Sequence, residues 1–262
     1  MKYCLSGRQP DSVLRKADEI KVELRDYRAL PDYIDKFADK TIILDFNKEL
    51  PDDFDWEILK VYSDKMNGNF ICAIANMNQV AVCKELGLNF YYRFTATHLY
   101  EVEALAEMGV SYILIGVPLI FNLKRVSAFK IPLRAIPNLA YEPYLFHKDG
   151  VCGGWVRPED VKHYEQYIST FEFYAPKMLE KESTLYHIYA ENGKWPGDLN
   201  LLIDNLNYHF NNSLLYDEDN FAIRRMNCQQ RCLERGTCHY CHDQLAFAEV
   251  VKKYHREKHS LT

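Results

Sequence analysis

Four cysteines near the end of the chain, Cys228, Cys232, Cys238 and Cys241, have the spacing C-x3-C-x5-C-x2-C. Residues four apart lie on one helix face, which brings Cys228 beside Cys232. Cys238–His239–Tyr240–Cys241 makes a tight knuckle, with Gly236 permitting the turn. Four thiolates can enclose one ion tetrahedrally, and a closed shell of that kind is a structural zinc site. His239 or His242 can replace one ligand. An iron–sulfur cluster takes four thiolates as well and stands as the alternative. Buried thiols without metal are the third reading. The spacing C-x3-C-x2-C of radical-SAM proteins is absent.

The second set of reactive side chains is spread along the first two thirds of the chain. Ile20–Lys21–Val22–Glu23–Leu24–Arg25 alternates apolar with charged residues. Such alternation predicts a strand with two different faces, and a charged face on a strand covered on both sides lines a cavity. The same grammar recurs in Ile42–Asn47, Phe70–Asn76, Phe90–Thr95, Tyr112–Gly116, Leu133–Asn138 and Phe171–Tyr174. Side chains at i and i+2 point the same way. Ser6, Arg8, Glu23, Arg25, Asp45, Asn47, Asn76, Arg93, Thr95, Arg134 and Asn138 are thereby expected to face one lumen near the C-terminal strand ends. Within it Arg8, Arg25, Arg93 and Arg134 face Glu23, Asp45 and Glu172. Several guanidiniums can fork onto a carboxylate or phosphate, leaving Glu23 or Asp45 to move protons. The competing explanation is an internal salt-bridge network that holds strand register, since buried charges must be paired whatever the function.

Strands and helices must alternate to place these groups. Pro10–Ala17, Leu30–Phe37, Trp56–Tyr62, Met77–Gly87 and Leu99–Gly109 read as helices between the strands, with Pro at helix starts and Gly at helix stops. This alternation implies a parallel sheet with helices outside, and about eight units in this length close most economically as a (β/α)8 TIM-like barrel. An open doubly wound sheet is the runner-up. It lacks the Gly-x-Gly-x-x-Gly that would follow a strand. The expected division is a barrel over 1–176 and an α-helical, cysteine-rich extension over 177–262.

The aperiodic insertion from Leu139 to Val156 carries Glu142, His147 and Cys152, and Trp155 stands at its end. A long aromatic insertion of this sort suggests an ordered functional loop. Trp155 is either a lid over a ligand or an anchor for the loop, and Arg157 can reach the barrel mouth. His147 and Cys152 can form a Cys/His pair or lie solvated in a loop. Arg224 and Arg225, with Lys252–Lys253, form either a basic patch for nucleic acid or a solvated face.

The opening Ser6–Gly7–Arg8…Ala17–Asp18–Glu19–Ile20–Lys21–Val22 resembles that of the collagenase-like (U-thirty-two) peptidase barrels, where a helix and an Ala-Asp pair precede strand two. Glu142…His147…Cys152 is similar to that family's Glu…His-Gly-Ala…Cys segment, with different spacing and without the Gly-Ala. The resemblance covers about the first 175 residues. It implies a barrel, and a hydrolase or a modification enzyme with Glu142, His147 and Cys152 at its site.

Composition excludes some classes. The 262 residues are 48% hydrophobic and 26% charged with a formal net charge of −5, so there is no overall basic footprint for nucleic acid. The 19 Tyr suit clefts or interfaces. The N-terminus lacks a signal-peptide pattern and no apolar run reaches membrane-spanning length. A cytoplasmic chain with mostly reduced cysteines is expected, with no membrane partner. Two functions follow as expectations. One is an enzyme acting at the barrel mouth on an anionic small molecule or modified nucleotide. Glu23 and Asp45 would be its catalytic groups, and Arg8, Arg25, Asn76, Arg93, Arg134, Asn138, Glu142, Trp155 and Arg157 would bind the substrate. The other is a non-catalytic assembly protein that docks protein or nucleic acid through the metal-binding extension.

Overall fold

The computed structural model describes residues 1–52, 54–116, 119–139, 155–175, 179–203, 212 and 221–226. Eight strands form a closed barrel in chain order: β1 (Lys2–Ser6), β2 (Glu19–Glu23), β3 (Thr41–Asp45), β4 (Phe70–Ile74), β5 (Asn89–Ala96), β6 (Tyr112–Ile115), β7 (Leu133–Ala135) and β8 (Ile168–Glu172). Every neighbouring pair is parallel, and β8 closes onto β1 through Lys2 opposite Thr170. The chain is therefore the expected (β/α)8 barrel.

The alternation of side chains makes two cores. Ile20 and Val22, Ile42 and Leu44, and Cys72 and Ile74 point outward and are buried with helix residues such as Leu14, Ile34, Leu59 and Val80. Burying each such aliphatic side chain contributes about 1.5–3 kcal/mol. The opposite parity supplies a smaller inner cluster of Cys4, Ile43, Ile71, Ala73, Tyr91 and Leu114. The remaining inward positions are polar.

The covering helices include α1 (Asp11–Leu14), α2 (Leu30–Lys36), α3 (Glu57–Lys65), α4 (Met77–Glu85) and α5 (Leu99–Glu107). After β6 come the short α6 (Leu123–Val126) and two 3-10 turns; α7 (Val161–Tyr164) precedes β8. Local chemistry sets their ends. Asn76 accepts the Gln79 N–H at 3.0 Å to cap α4. The Glu101 carboxylate takes the N–H groups of Thr97 and His98 at the start of α5. Both helices stop at a glycine in the left-handed region, Gly87 at φ +65° and Gly109 at φ +74°.

Several elements differ from expectation. The second strand was expected to run to Arg25, but it ends at Glu23, whose partner Asp45 is the last residue of β3. A strand persists only while its neighbour offers ladder groups, and Leu24–Ala29 turns into a 3-10 helix. Leu133–Asn138 yields only β7, because Pro137 has no N–H to donate. In the expected α-helical extension, α8 spans Leu179–Tyr186 and continues as a π-helical turn. It packs back on the barrel through Glu182, which accepts the Ser6 N–H at 2.7 Å. Leu199–Leu201 is a 3-10 turn, and α9 covers Phe221–Met226. Glu142, His147, Cys152, the four clustered cysteines and the Lys- and His-rich tail lie outside the described residues. Among the described residues no helix is long and apolar enough to cross a membrane.

Candidate functional site

The barrel interior holds three cations and three carboxylates, stacked from the N-terminal end toward the mouth. At the bottom Arg134, fully buried, contacts Glu19 at 2.6 Å through Nη1. Its Nε donates to the Glu172 carboxylate at 2.6 Å, and its guanidinium lies over the rings of Tyr91 (4.9 Å) and Tyr112 (5.2 Å). Glu172 is the hub of the middle layer. It accepts from Arg134 and from the Tyr91 hydroxyl (3.0 Å) on one oxygen and from the Lys21 ammonium on the other. Burial alone would raise the Glu172 pKa, but Lys21 and Arg134 outweigh it and hold the carboxyl at about 2. For Lys21 burial acts to lower the pKa. The Glu172 charge and neighbouring groups prevail, and the ammonium titrates well above its usual range.

At the mouth stands Asp45, the last residue of β3, with its side chain 12% exposed. The Arg93 Nε on β5 lies 3.0 Å from Asp45 Oδ1, and the Arg93 side chain is 29% exposed. Burial raises the Asp45 pKa, and the nearby Lys21 and Arg93 charges offset this only in part. Asp45 is thus a carboxyl biased toward holding a proton, between two cations that favour its release. That combination suits general acid–base work.

Arg93 also lines a cavity of about 460 Å³ at the C-terminal ends of β3, β4 and β5. Asn47, Lys48, Trp56, Asn76 and Asn78 share its wall. Its volume falls in the range of small-molecule sites, and it opens where barrel enzymes do their chemistry.

The other expected site residues are distributed differently. Arg8, Glu23 and Arg25 do meet, at the rim over β1 and β2. Glu23 contacts Arg8 at 2.5 Å and Arg25 at 3.1 Å, and Asp26 lies 3.7 Å from each arginine. Both guanidiniums already have carboxylates, and Arg25 sits in the 3-10 turn outside the strand. Arg134 reaches no open surface, since its carboxylate partners and aromatic neighbours enclose it. Asn138 spends its amide on the backbone of Tyr174, donating to the carbonyl at 2.7 Å and accepting the N–H at 2.8 Å. It replaces the ladder bonds that Pro137 cannot make. Asn138→Ala is expected to cost about 1–3 kcal/mol, because both Tyr174 groups lose their partner. Urea unfolding would read this as a lower midpoint at unchanged slope.

Trp155 is buried, with the Arg225 guanidinium 4.4 Å over its ring and Arg225 Nη1 donating to its carbonyl at 2.7 Å. Arg157 does not reach out to the mouth. It forks onto Asp160 with two 2.7 Å hydrogen bonds and is buried. Arg225 is likewise buried and therefore belongs to no basic surface patch. Asn76 lines the cavity while capping α4.

Lys21, Glu19, Tyr91 and Glu182 were not among the expected site residues. Glu19, Lys21 and Glu23 share one parity on β2, so the first two were legible in principle. Glu182 carried no local signal. It lies 176 residues from Ser6, whose N–H it accepts, and it also accepts the Gln9 side-chain amide at 2.7 Å. Burial raises its pKa. Among the described residues no group of three His, Cys, Asp or Glu side chains is arranged to hold a metal ion.

No family model matches the chain, and no curated protein matches it. Solved structures with a similar course include one described as native KDPGal, at 13% identity and a TM-score of 0.44, covering 72% of this chain and 91% of that one. A 4-hydroxy-2-oxoglutarate aldolase/2-deydro-3-deoxyphosphogluconate aldolase matches at 11% identity and TM-score 0.41, covering 71% of this chain and 90% of its own. A 3-keto-L-gulonate-6-phosphate decarboxylase from Vibrio cholerae matches at 13% and 0.41, covering 74% and 99%. These likenesses concern the barrel and bear on neither substrate nor reaction. None of these comparisons supports the collagenase-like peptidase resemblance beyond the barrel it implies.

Proposed function

We propose that the chain is a barrel enzyme that performs proton-transfer chemistry on a small anionic substrate at the C-terminal mouth. The observation that carries this is the Asp45–Arg93 pair, whose Arg93 lines the 460 Å³ cavity. In this reading Arg93 receives the anionic group and Asp45 moves the proton. Lys21 and Glu172 keep the floor beneath them charged and fixed. Glu23, the other expected acid–base group, is held by Arg8 and Arg25 at the rim. Neither Glu23 nor its arginine partners line the cavity, whereas Arg93, the partner of Asp45, does, so Asp45 is preferred. A general base contributes about 10²–10⁴-fold in rate. A screen of small carboxylates and phosphate esters is expected to find turnover in the wild type. Its absence across the panel, with the barrel folded, would favour the assembly-protein reading.

A structural zinc at Cys228, Cys232, Cys238 and Cys241 remains part of the proposal, on the chemistry of the four thiolates and their spacing. Metal analysis and an absorption spectrum of anaerobically purified protein are expected to give one zinc per chain and no colour. Visible charge-transfer bands would assign an iron–sulfur cluster instead. If the extension docks a partner, Cys238→Ser would abolish that association while the barrel stays folded.

A further inference from the structure

The cavity has more features than an anion needs. Beside the cations Arg93 and Lys48 and the one carboxylate Glu49 it presents the carboxamides of Asn47, Asn76, Asn78 and Gln79 and the indole of Trp56. Trp56 is a prepared surface. Its ring is stacked on Phe46 at 5.1 Å and 6°, and the Phe54 ring meets it edge-on at 5.3 Å and 82°. An indole clamped by two rings loses no rotamer freedom when a ligand packs on it. Asn47 stands on the same wall, one residue beyond Phe46. Asn76 caps only the Gln79 N–H, so the first N–H groups of α4, a nine-residue helix, have no acceptor within the helix at the same wall.

We infer that this cavity is a mononucleotide subsite, holding a planar nitrogen heterocycle against Trp56 and Asn47 and its phosphate against Arg93, Lys48 and the start of α4. The inference rests on the proposed reading of the mouth and names the substrate class for it. Aromatic side chains accept the face of any base, and carboxamides pair with the donor–acceptor edge of a base. A guanidinium and helix N–H groups together match a phosphate. Carboxylates or sugar phosphates alone would leave the carboxamides and the Trp56 wall unused. The subsite lies over β3 and β4, away from the strand 7–8 loops that bind phosphate in many barrels.

Calorimetric titration of the full-length protein tests this. The probes are uridine and adenosine 5′-monophosphate, the two nucleosides, ribose 5-phosphate and inorganic phosphate. At least one nucleotide is expected to bind ten times or more tighter than ribose 5-phosphate. Asn47→Leu should remove most of that advantage, and Arg93→Met should remove most of the nucleotide's advantage over its nucleoside. Far-UV circular dichroism establishes that both variants are folded. Trp56→Phe, which keeps an aromatic wall, should retain at least half of the tenfold preference and guards against misfolding effects. Ribose 5-phosphate binding as tightly as both nucleotides, and weakened in Arg93→Met, would overturn the heterocycle subsite while leaving the anionic-substrate reading intact. Nucleotide binding indifferent to Asn47→Leu would overturn it too. No binding by any probe would overturn both.

Discussion

Glu172→Ala is expected to destabilise the barrel by about 3–5 kcal/mol, the cost of breaking a buried ion pair from one side. The substitution removes the shared acceptor of Lys21, Arg134 and Tyr91 and leaves two cations in the interior facing Glu19, Asp45 and Glu182. Chemical denaturation reads the effect directly. A midpoint close to wild type would mean that solvent reaches the barrel core. The pH dependence has a definite sign. Glu172 titrates at about 2 in the folded chain, below its ordinary 4.5. A lowered carboxyl pKa contributes stability that is fully present above 4.5 and is lost as pH falls from 4.5 toward 2. Asp45 and Glu182 have raised values and act in the opposite sense, favouring the fold as they take up protons. Acid unfolding of the wild type should therefore steepen below pH 4.5, and Glu172→Ala should flatten it.

Asp45→Asn is expected to lower turnover about 10²–10⁴-fold and to leave stability within about 1 kcal/mol of wild type, or slightly above it. The raised pKa of Asp45 states that burial disfavours its charged form, so a neutral isostere relieves a cost. Arg93 Nε is sealed from water, but the Asn carboxamide oxygen remains as an acceptor for it, and the rest of the Arg93 side chain is partly open to solvent. Parallel measurement of kcat and of thermal unfolding separates the two effects. A variant that loses activity only in proportion to lost fold would remove Asp45 from the chemistry. The contrast with Glu172 is the point: two carboxylates at neighbouring depths, one holding the barrel and one available for reaction.

How far the sequence could be read depends on the range of the interaction involved. Alternating polarity in Ile20–Glu23 and Ile42–Asp45, with Gly87 and Gly109 closing their helices, determined the strands, the helices and the closed ring. Each of these is set by neighbours within a turn or a pleat. Parity also placed Asp45 and Arg93 on the inner wall. Parity fixes which face a side chain takes, but not its partner, so the eleven polar strand tips separated into groups only in three dimensions. Arg8, Glu23 and Arg25 neutralise one another at the rim, Arg134 is enclosed between Glu19 and Glu172, and Asn138 replaces a ladder bond. Desolvation makes those pairings, since each buried charge takes the nearest opposite charge the ring presents. That choice depends on depth and curvature, which come into being when β8 meets β1. The Trp56 wall is local, since Phe46, Phe54 and Trp56 belong to the one loop after β3, and it becomes a cavity wall where that loop meets the loop after β4 and Arg93 of β5.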